Sequence, residues 1–393
     1  MNVRFYGYFA QNLGDDLFFK IALERYPDVD FYLDINFGYF PEFMFSYSNL
    51  HYLPTTRFFN SLFFLPFNID NYQIFRIVNF IAKGMTKCFR RDFHCRFDAY
   101  LELVGSRFMD FTTKKDENTV SIDLNNSVVE NKQYKLSENK TPKFLLGTNV
   151  GPLYSESYLE KYKNTFCEYD DVCFRDKASY NLYSFLPNVR YAPDLVFNLD
   201  TDKYSVKKEK QIIISIINLS LKTQFDHYTD FYCKKIAEIA SEYADLGYTV
   251  KLTSFCKVEK DEVTIKEIFK YIDKSYRKNV KRLFYNGKNM ELILNEIAAS
   301  EYIIAGRFHA MILAMLFGKP FLPICYNDKM YNYLNDIHFD GVTLGVSNID
   351  FDFEIFDRNR KENKTVDITD QLKYAANQFK KFDEYVDRFE KSG

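Results

Sequence analysis

The chain has 393 residues and a net charge of -2 at pH 7, so its length favours two α/β domains and its charge argues against a nucleic-acid-binding surface. The seven cysteines form no CxxC pair and the five histidines never fall at HxxxH spacing, which predicts reduced thiols, a cytoplasmic protein and no metal site. The sequence lacks an apolar run of the roughly 20 residues that a membrane span needs, and residues 1–6 do not resemble a secretion signal.

The first predicted strand, residues 3–6, leads through a polar loop into a predicted amphipathic helix at 17–25. The loop contains Asn12, Gly14 and Asp15, and its glycines do not fit the GxGxxG pattern, so we predict no dinucleotide site. Asp15 has two interpretations at this stage. It either caps the helix or faces a ligand crevice at the end of the strand.

Two aromatic or basic stretches follow. Residues 31–75 are dense in Phe and Tyr, which either fill a core or line a groove on which sugar rings stack. Residues 74–91 carry apolar side chains at helical spacing with a basic polar face. We expect this helix either to pack on the domain or to make peripheral contact with an anionic membrane at its inner face.

Three further strands of the first half are each predicted to end in a polar or glycine-containing loop. Residues 98–104 lead into Gly105, and 144–146 lead into the loop 147–152, which contains Asn149. The strand 171–174 is followed by Arg175 and Asp176, which either pair to tie the next helix to a neighbour or contact a ligand. The polar residues 112–140 are predicted to form an exposed insertion.

The second half alternates predicted strands and helices without hairpin signals, beginning with the β-branched run at 211–217. This pattern predicts an α/β protein with two Rossmann-like lobes and a cleft between them. We place the first lobe at 1–198, a charged linker at 199–210 and the second lobe at 211–350. A C-terminal helix at 366–391 is predicted to pack back on the first lobe.

The segment 302–324 predicts a strand, a helix and a second strand. Gly306 marks the change from strand to helix, so Arg307 and His309 fall in the first helical turn at the edge of a parallel sheet. The next strand ends before Asn327 and Lys329, which would open on the same edge. Backbone N–H groups, a guanidinium and the helix dipole suit a phosphate or carboxylate, so we predict an anion site here.

With these residues, the chain resembles the polysaccharide pyruvyl transferase family, whose members have a fold like that of the two-lobed GT-B glycosyltransferases. The resemblance is carried in order by the first loop, by residues 147–152, by Arg175-Asp176, by Pro193-Asp194 and above all by Gly306-Arg307-Phe308-His309-Ala310-Met311. It spans about residues 3 to 335. A GT-B-like arrangement of the two lobes is therefore the fold that we expect.

The resemblance implies transfer of a pyruvyl group from phosphoenolpyruvate to two hydroxyls of a sugar in a surface polysaccharide or exopolysaccharide, with phosphate released. Phosphoenolpyruvate is then a co-substrate and no cofactor is needed. It also implies that Arg307 and His309 contact the phosphate and carboxylate of the donor. Gly306, Asn327 and Lys329 are added to this donor site because they lie at the same sheet edge. The acceptor sugar, which is either free or part of a lipid-linked glycan, would face Asn12, Gly14, Asn149, Arg175 and Asp176.

Enolpyruvyl chemistry needs a proton for the methylene carbon and a base for each attacking hydroxyl. We assign proton transfer to His309, and expect Asp15 to orient the acceptor hydroxyls. One departure from the family pattern concerns the end of the first strand of the second lobe. There the chain has Ile217-Asn218-Leu219 in place of a basic residue, which leaves Lys222 as the candidate replacement.

Two other functions remain open from the sequence. A GT-B-type glycosyltransferase would need a carboxylate for the nucleotide ribose, and Glu296 and Glu301 precede Arg307. A non-catalytic scaffold of a glycan assembly complex is the second alternative. The presence of Arg307, His309 and Lys329 together argues against the scaffold.

Overall fold

The computed structural model describes residues 1–8, 10–33, 42–52, 97–109, 141–153, 156–204, 207–222, 224–348 and 352–392. The predicted basic helix at 74–91, the predicted insertion at 112–140 and most of the aromatic stretch at 31–75 lie outside these residues. Among the described segments, no helix is long and apolar enough to cross a membrane.

The first lobe is built on a parallel sheet whose strands follow the order β3-β2-β1-β4-β6-β7-β8, with β5 paired to β6. The strands are β1 (Asn2–Gly7), β2 (Asp30–Leu33), β3 (Leu50–Tyr52), β4 (Ala99–Leu103), β5 (Ser106–Phe108), β6 (Lys143–Val150), β7 (Asp171–Phe174) and β8 (Val189–Tyr191). The helices are α1 (Leu13–Arg25), α2 (Glu156–Phe166) and α3 (Lys177–Tyr183).

The second lobe contains a parallel sheet of order β11-β10-β9-β12-β13-β14. Its strands are β9 (Gln211–Ile216), β10 (Thr249–Ser254), β11 (Val280–Phe284), β12 (Tyr302–Ala305), β13 (Phe321–Cys325) and β14 (Leu344–Gly345). The helices are α4 (Thr229–Asp245), α5 (Asp261–Tyr271), α6 (Met290–Ala299), α7 (Phe308–Leu316), α8 (Asp328–Asp336) and α9 (Phe353–Glu362). Every residue of β9 is buried, as the continuous apolar run predicts for a central parallel strand.

Both sheets reverse their winding direction beside a central strand. In the first sheet the chain passes from β1 to β2 on one side and later places β4 on the other side. In the second sheet β9 has β10 on one side and β12 on the other. Loops at the carboxyl ends of such strands separate and leave a crevice, so each lobe opens a binding edge at its switch point. The prediction of two Rossmann-like lobes is confirmed.

The two lobes share one hydrophobic core and a backbone contact. Helix α1 of the first lobe packs in the same apolar cluster as α6 and α7 of the second lobe. The amide of Leu13 donates to the carbonyl of Phe255 at 2.9 Å, and the amide of Lys257 donates to the carbonyl of Gln11 at 3.1 Å. The hydroxyl of Tyr285 also donates to the buried carboxyl of Asp16 at 2.5 Å. The lobes are therefore held together on one side of the crevice.

The C-terminal segment packs on the first lobe as two helices, α10 (Thr369–Ala375) and α11 (Lys380–Ser392), where the sequence suggested one. The break places buried Gln378 against the first sheet, where its amide donates to the carbonyls of Ala192 at 2.9 Å and Pro193 at 3.0 Å. In α11, Asp383 accepts two bonds from Arg25, at 2.7 and 3.0 Å. Gln378 therefore ties the C-terminal segment to the carbonyls that follow β8.

Three local predictions need correction. Helix α1 begins at Leu13 and its cap is Asn12, so Asp15 and Asp16 lie inside the first turn. Residues 147–150 continue β6 instead of forming a loop, because Gly147, with φ of +74°, absorbs a register shift against β7. The linker 199–210 contains a short helical turn whose Tyr204 is buried against Phe317.

Candidate active site

A cleft of about 590 Å³ lies between the lobes at the carboxyl ends of both sheets. Its walls include side chains that follow β1, β4, β9, β10, β12 and β13. Of the residues that the sequence suggested for the site, Gly14 and Gly306 do not line this cleft. The others do: Asn12, Asp15, Asn149, Arg175, Asp176, Arg307, His309, Asn327 and Lys329. Residues that are distant in sequence thus converge because both sheets present the same edge.

Arg175 connects the residues at the centre of the cleft. Its Nη1 donates to Asp194 Oδ2 at 3.1 Å and lies 3.3 Å from Nε2 of His309. Its Nη2 donates to Asn149 Oδ1 at 2.6 Å and to Ser106 Oγ at 3.3 Å. Arg175 is 1% exposed and Asp194 is fully buried. The pair that the sequence suggested between Arg175 and the adjacent Asp176 is therefore replaced by a pair with Asp194.

His309 is a neutral imidazole in this setting. Because a guanidinium only donates hydrogen bonds, its contact with Nε2 requires that nitrogen to be the acceptor. Burial, followed by the charges of Arg175, Lys329 and Arg307, holds the pKa of His309 well below its usual value of 6.5. Nε2 is the one basic nitrogen of the neutral ring, so a role as proton acceptor requires the contact with Arg175 to break first. A role as proton donor requires the negative charge of a bound substrate to raise that pKa.

Gly14 provides the space for His309. A Cβ atom added at Gly14 would lie 1.6 Å from Nδ1 of His309, far inside ordinary contact distance. On another side the imidazole meets the ring of Phe18 edge-on, with centroids 5.6 Å apart. The first helix of one lobe and the first turn of α7 in the other thus enclose the same ring. Gly14 supports the site by its lack of a side chain.

Arg307 is not the free guanidinium that the sequence suggested. Its Nε donates to Asp261 Oδ2 at 3.1 Å, its Nη2 donates to Asp261 Oδ1, and its Nη1 donates to Glu259 Oε2 at 2.9 Å. The amides that begin the turn are also engaged, since Gly306 N donates to the carbonyl of Ser215 and Arg307 N donates to Ser215 Oγ, each at 3.1 Å. Buried donors need partners, and the second lobe supplies them from β9 and the start of α5.

The cleft also contains a group of three residues beyond the predicted site residues: Glu259, Lys222 and Tyr326. The Nζ of Lys222 donates to Glu259 Oε2 at 2.8 Å and lies 5.7 Å from the ring centre of Tyr326. Lys222 therefore lies in the cleft. The sequence had offered it as the replacement for the basic residue that is missing near Asn218. Glu259 was not anticipated. Its position in the loop after β10, at the same sheet edge, is the signal that could have found it.

Asp15 and Lys329 both titrate near neutrality. Burial raises the pKa of Asp15 to about 6, against the opposing charges of Arg175 and Lys329. Burial and the charge of Arg175 lower the pKa of Lys329 to about 7, while Asp15 and Asp194 oppose that shift. The ammonium of Lys329 bonds Ser106 Oγ at 3.1 Å and lies 4.2 Å from the ring centre of Phe308. The cleft thus contains an acid and a base whose pKa values suit proton transfer.

Three predicted cleft residues use a side-chain oxygen to cap a helix. Asn12 accepts from Gly14 N at 3.2 Å, Asp176 accepts from Ser179 N at 2.7 Å, and Asn327 accepts from Met330 N at 3.2 Å. Such caps satisfy backbone donors in the first turn. All three residues line the cleft, and Asn12 and Asn327 also fix the helices that carry Asp15 and Lys329.

The carboxylates suggested for a nucleotide ribose lie elsewhere. Glu296 Oε2 accepts from Lys251 and from Nε2 of Gln211, the first residue of β9. Glu301 directly precedes β12. Both therefore belong to the amino-terminal edge of the sheet, opposite the cleft. Among the residues that the structure describes, no group of three or more His, Cys, Asp or Glu side chains is arranged to hold a metal ion.

Comparison with solved structures gives the fold. The UDP-GlcNAc 2-epimerase from Neisseria meningitidis bound to UDP-GlcNAc is 11% identical, with 99% of this chain and 100% of that chain covered and a TM-score of 0.52. The UDP-GlcNAc 2-epimerase from Methanocaldococcus jannaschii in complex with UDP-GlcNAc and UDP is 10% identical over the full length of both chains, with a TM-score of 0.53. At such identities the likeness establishes a GT-B-like arrangement of two lobes and nothing about the substrate.

Comparison with sequences gives the family. No curated protein matches the chain. A family model described as polysaccharide pyruvyl transferase matches residues 103–328, more than half of the chain. The matched range contains Arg175, Lys222, Glu259, Arg307 and His309, while Asp15 and Lys329 lie outside it. The chain belongs to the polysaccharide pyruvyl transferase family.

Proposed function

We propose that the protein transfers a pyruvyl group from phosphoenolpyruvate to two hydroxyls of one sugar unit of a surface polysaccharide or exopolysaccharide. One observation carries this proposal: four cationic side chains from separate strand ends converge on one cleft. They are Arg175, Lys222, Arg307 and Lys329, and the same cleft contains His309 and Asp15. A small donor with two anionic groups requires such a lining.

The reaction balances with the groups present. One sugar hydroxyl adds to the substituted carbon of the enol, while a proton goes to the methylene carbon and makes a methyl group. The second hydroxyl displaces phosphate from the same carbon, and its proton leaves with a base or with the phosphate. The products are a cyclic ketal and inorganic phosphate. Three proton transfers are needed, one to the methylene carbon and one from each hydroxyl, so at least one acid and one base must lie close to the donor.

We assign those transfers to His309, Asp15 and Lys329. Burial and the charge of Arg175 lower the pKa of Lys329 towards neutrality, so Lys329 can supply a proton as well as a positive charge. Asp15, with a pKa of about 6, is mostly ionised at that pH and can accept a hydroxyl proton. His309 becomes the second acceptor when the bound substrate draws Arg175 away from Nε2, and it keeps the proton-transfer role proposed for it.

The acceptor sugar is placed on the first-lobe side of the cleft. Tyr8, Met109, Leu153, Leu159 and Leu182 line that side. Apolar and aromatic surface suits the C–H faces of a sugar ring. A lipid-linked acceptor, a cytoplasmic site of reaction and membrane contact through residues 74–91 are parts of the same proposal.

The test measures donor binding first and the product second. Thermal unfolding is recorded with phosphoenolpyruvate and with a panel of nucleotide sugars, since a ligand at 100 times its Kd stabilises a protein by about 2.7 kcal/mol. Phosphoenolpyruvate alone is expected to raise the transition temperature. Incubation with donor and candidate glycans should then add the mass of pyruvic acid less one water, with one phosphate released for each ketal. Stabilisation by nucleotide sugars and not by phosphoenolpyruvate would favour a glycosyltransferase instead.

A further inference from the structure

A carboxylate of the protein itself fills the position between two cations of the cleft. The same oxygen of Glu259, Oε2, accepts from Lys222 Nζ at 2.8 Å and from Arg307 Nη1 at 2.9 Å. All three residues line the cleft. A lysine and an arginine that share one oxygen in this way have the arrangement that binds an oxygen of a substrate carboxylate or phosphate.

Arg307 does not need Glu259 to keep its position, and Lys222 has a second contact beside it. Arg307 is anchored by the buried carboxylate of Asp261, to which it donates from both Nε and Nη2. That carboxylate is itself fixed by the amides of Phe255 at 3.2 Å and Cys256 at 2.9 Å. Lys222 lies over the ring of Tyr326, which also lines the cleft. The two cations would therefore remain in place around an anion that replaced the Glu259 carboxylate.

The backbone of the loop that carries Glu259 is fixed, both by the contact of the Glu259 amide with Cys256 and by bonds of the neighbouring residues. The neighbouring Lys257 amide donates to Gln11 of the first lobe at 3.1 Å, and the Lys260 amide donates to the Lys257 carbonyl at 2.9 Å. The Glu259 side chain is 28% exposed, in contrast to the fully buried Asp261. A rotation of the side chain towards solvent can thus vacate the position without moving the backbone that joins the lobes.

The charge of Glu259 is present throughout the neutral range. Burial raises the pKa of its carboxyl, but the charges of Arg307 and Lys222 outweigh this effect and hold the pKa well below its usual value. An ionised carboxylate bound to two cations is an effective competitor for another anion. Its neutral amide analogue keeps the shape and loses most of that competition.

We propose that Glu259 is an internal competitor that occupies the anion subsite formed by Lys222 and Arg307, and that a carboxylate or phosphate group of the substrate displaces it to bind. The inference rests on the proposed function only for the identity of that substrate as phosphoenolpyruvate. It makes Glu259 a residue that sets donor affinity, with no part in the bond-making steps.

The test compares the parent protein with Glu259→Gln by calorimetric titration at neutral pH. The probes are inorganic phosphate, pyruvate as a carboxylate without phosphate, and phosphoenolpyruvate. Glu259→Gln is expected to bind the group that uses the subsite roughly tenfold more tightly, and the probe that gains most identifies whether phosphate or carboxylate enters. In phosphoenolpyruvate-dependent turnover the variant should show a lower KM with a smaller change in kcat.

The matched control is Glu24→Gln. Glu24 is also a paired glutamate, bonded to Lys20 at 2.6 Å, but it lies outside the cleft, so its removal changes the net charge equally without vacating the subsite. The control should bind each probe as the parent does. Adding Lys222→Gln to Glu259→Gln should abolish the gain in affinity.

Unchanged or weaker binding of all three probes by Glu259→Gln would overturn the proposal and make Glu259 a residue that positions the two cations. If Glu259→Gln fails to fold, Glu259→Asp replaces it, because a shorter carboxylate cannot reach both cations and should give a smaller gain of the same sign. A gain for phosphate or pyruvate without any binding of phosphoenolpyruvate would support the subsite and refute the proposed donor. The two ideas can therefore fail separately.

Discussion

The contact between Gly14 and His309 allows a prediction in which the tertiary structure reverses the effect expected from helix propensity. Gly14 is the second residue of α1, and alanine in a helix is favoured over glycine by about 1 kcal/mol. The new Cβ, however, would lie 1.6 Å from Nδ1 of His309, whereas ordinary contact begins at 3.4 Å. The imidazole would have to retreat by about 1.8 Å from a position in which it contacts both Phe18 and Arg175.

We expect Gly14→Ala to lower the free energy of unfolding by about 1 to 3 kcal/mol, the usual cost of overpacking. The displaced ring would also lose its 3.3 Å contact with Arg175. Since a misplacement of about 1 Å can cost roughly 100-fold in rate, pyruvyl transfer should fall by at least that factor. Urea unfolding and a donor-dependent transfer assay measure the two effects.

A double-mutant cycle identifies the cause of the loss. In a His309→Ala background the ring is absent, so Gly14→Ala should become neutral or stabilise the protein by up to about 1 kcal/mol. A change of sign between the two backgrounds is the expected result. Equal destabilisation in both, or a Gly14→Ala protein with parental stability and activity, would show that the ring is not packed against this glycine.

Three further outcomes follow from the charges in the cleft. Asp15→Asn should impair transfer but raise the free energy of unfolding above pH 6 by about 1 to 3 kcal/mol. The reason is that the carboxyl of Asp15 ionises near pH 3.8 in the unfolded chain and only near pH 6 in the folded protein. In urea titrations below pH 4 this gain in stability should vanish. His309→Asn should lower kcat by roughly 10²- to 10⁴-fold with donor binding retained. The parent protein should lose stability below pH 6.5, because the imidazole binds a proton in the unfolded chain and not in the folded protein, and the variant should lose less. Arg307→Lys should raise the donor KM and also destabilise the protein by about 1 to 3 kcal/mol, since lysine cannot form the two hydrogen bonds that join Arg307 to Asp261. A rise in KM without any change in stability to urea would contradict the structural part of this expectation.

Local sequence signals were sufficient for the elements and for the edge on which the site lies. The apolar run, glycine and helix formers at 302–324 correctly predicted β12, α7 and β13 with Arg307 at the start of the helix. Strand followed by helix, repeated along the chain, was enough to predict two parallel sheets. These features depend on side-chain periodicity and capping within a few residues, so they can be read from a single sequence.

The partners of the site residues were decided by the tertiary structure. Arg175 pairs with Asp194, 19 positions away, because β7 and β8 are neighbours in the sheet, and not with the adjacent Asp176, which caps α3. Arg307 is engaged by Asp261, 46 positions earlier, and shares Glu259 with Lys222. Such pairs form only in the assembled fold, where charged side chains from different strand ends are buried together and each charge needs a partner.

The pKa values of the site also depend on the assembled fold. The sequence offered His309 for proton transfer, and burial, followed by the charge of Arg175, lowers the pKa of that group in the folded protein. Asp15 and Lys329 come from different lobes, and their pKa values move toward neutrality because the cleft surrounds both with protein, while the charge of Arg175 adds to the shift of Lys329. Desolvation is a property of the surrounding three-dimensional packing, so the sequence determined which groups can titrate and the tertiary structure decided where their pKa values lie.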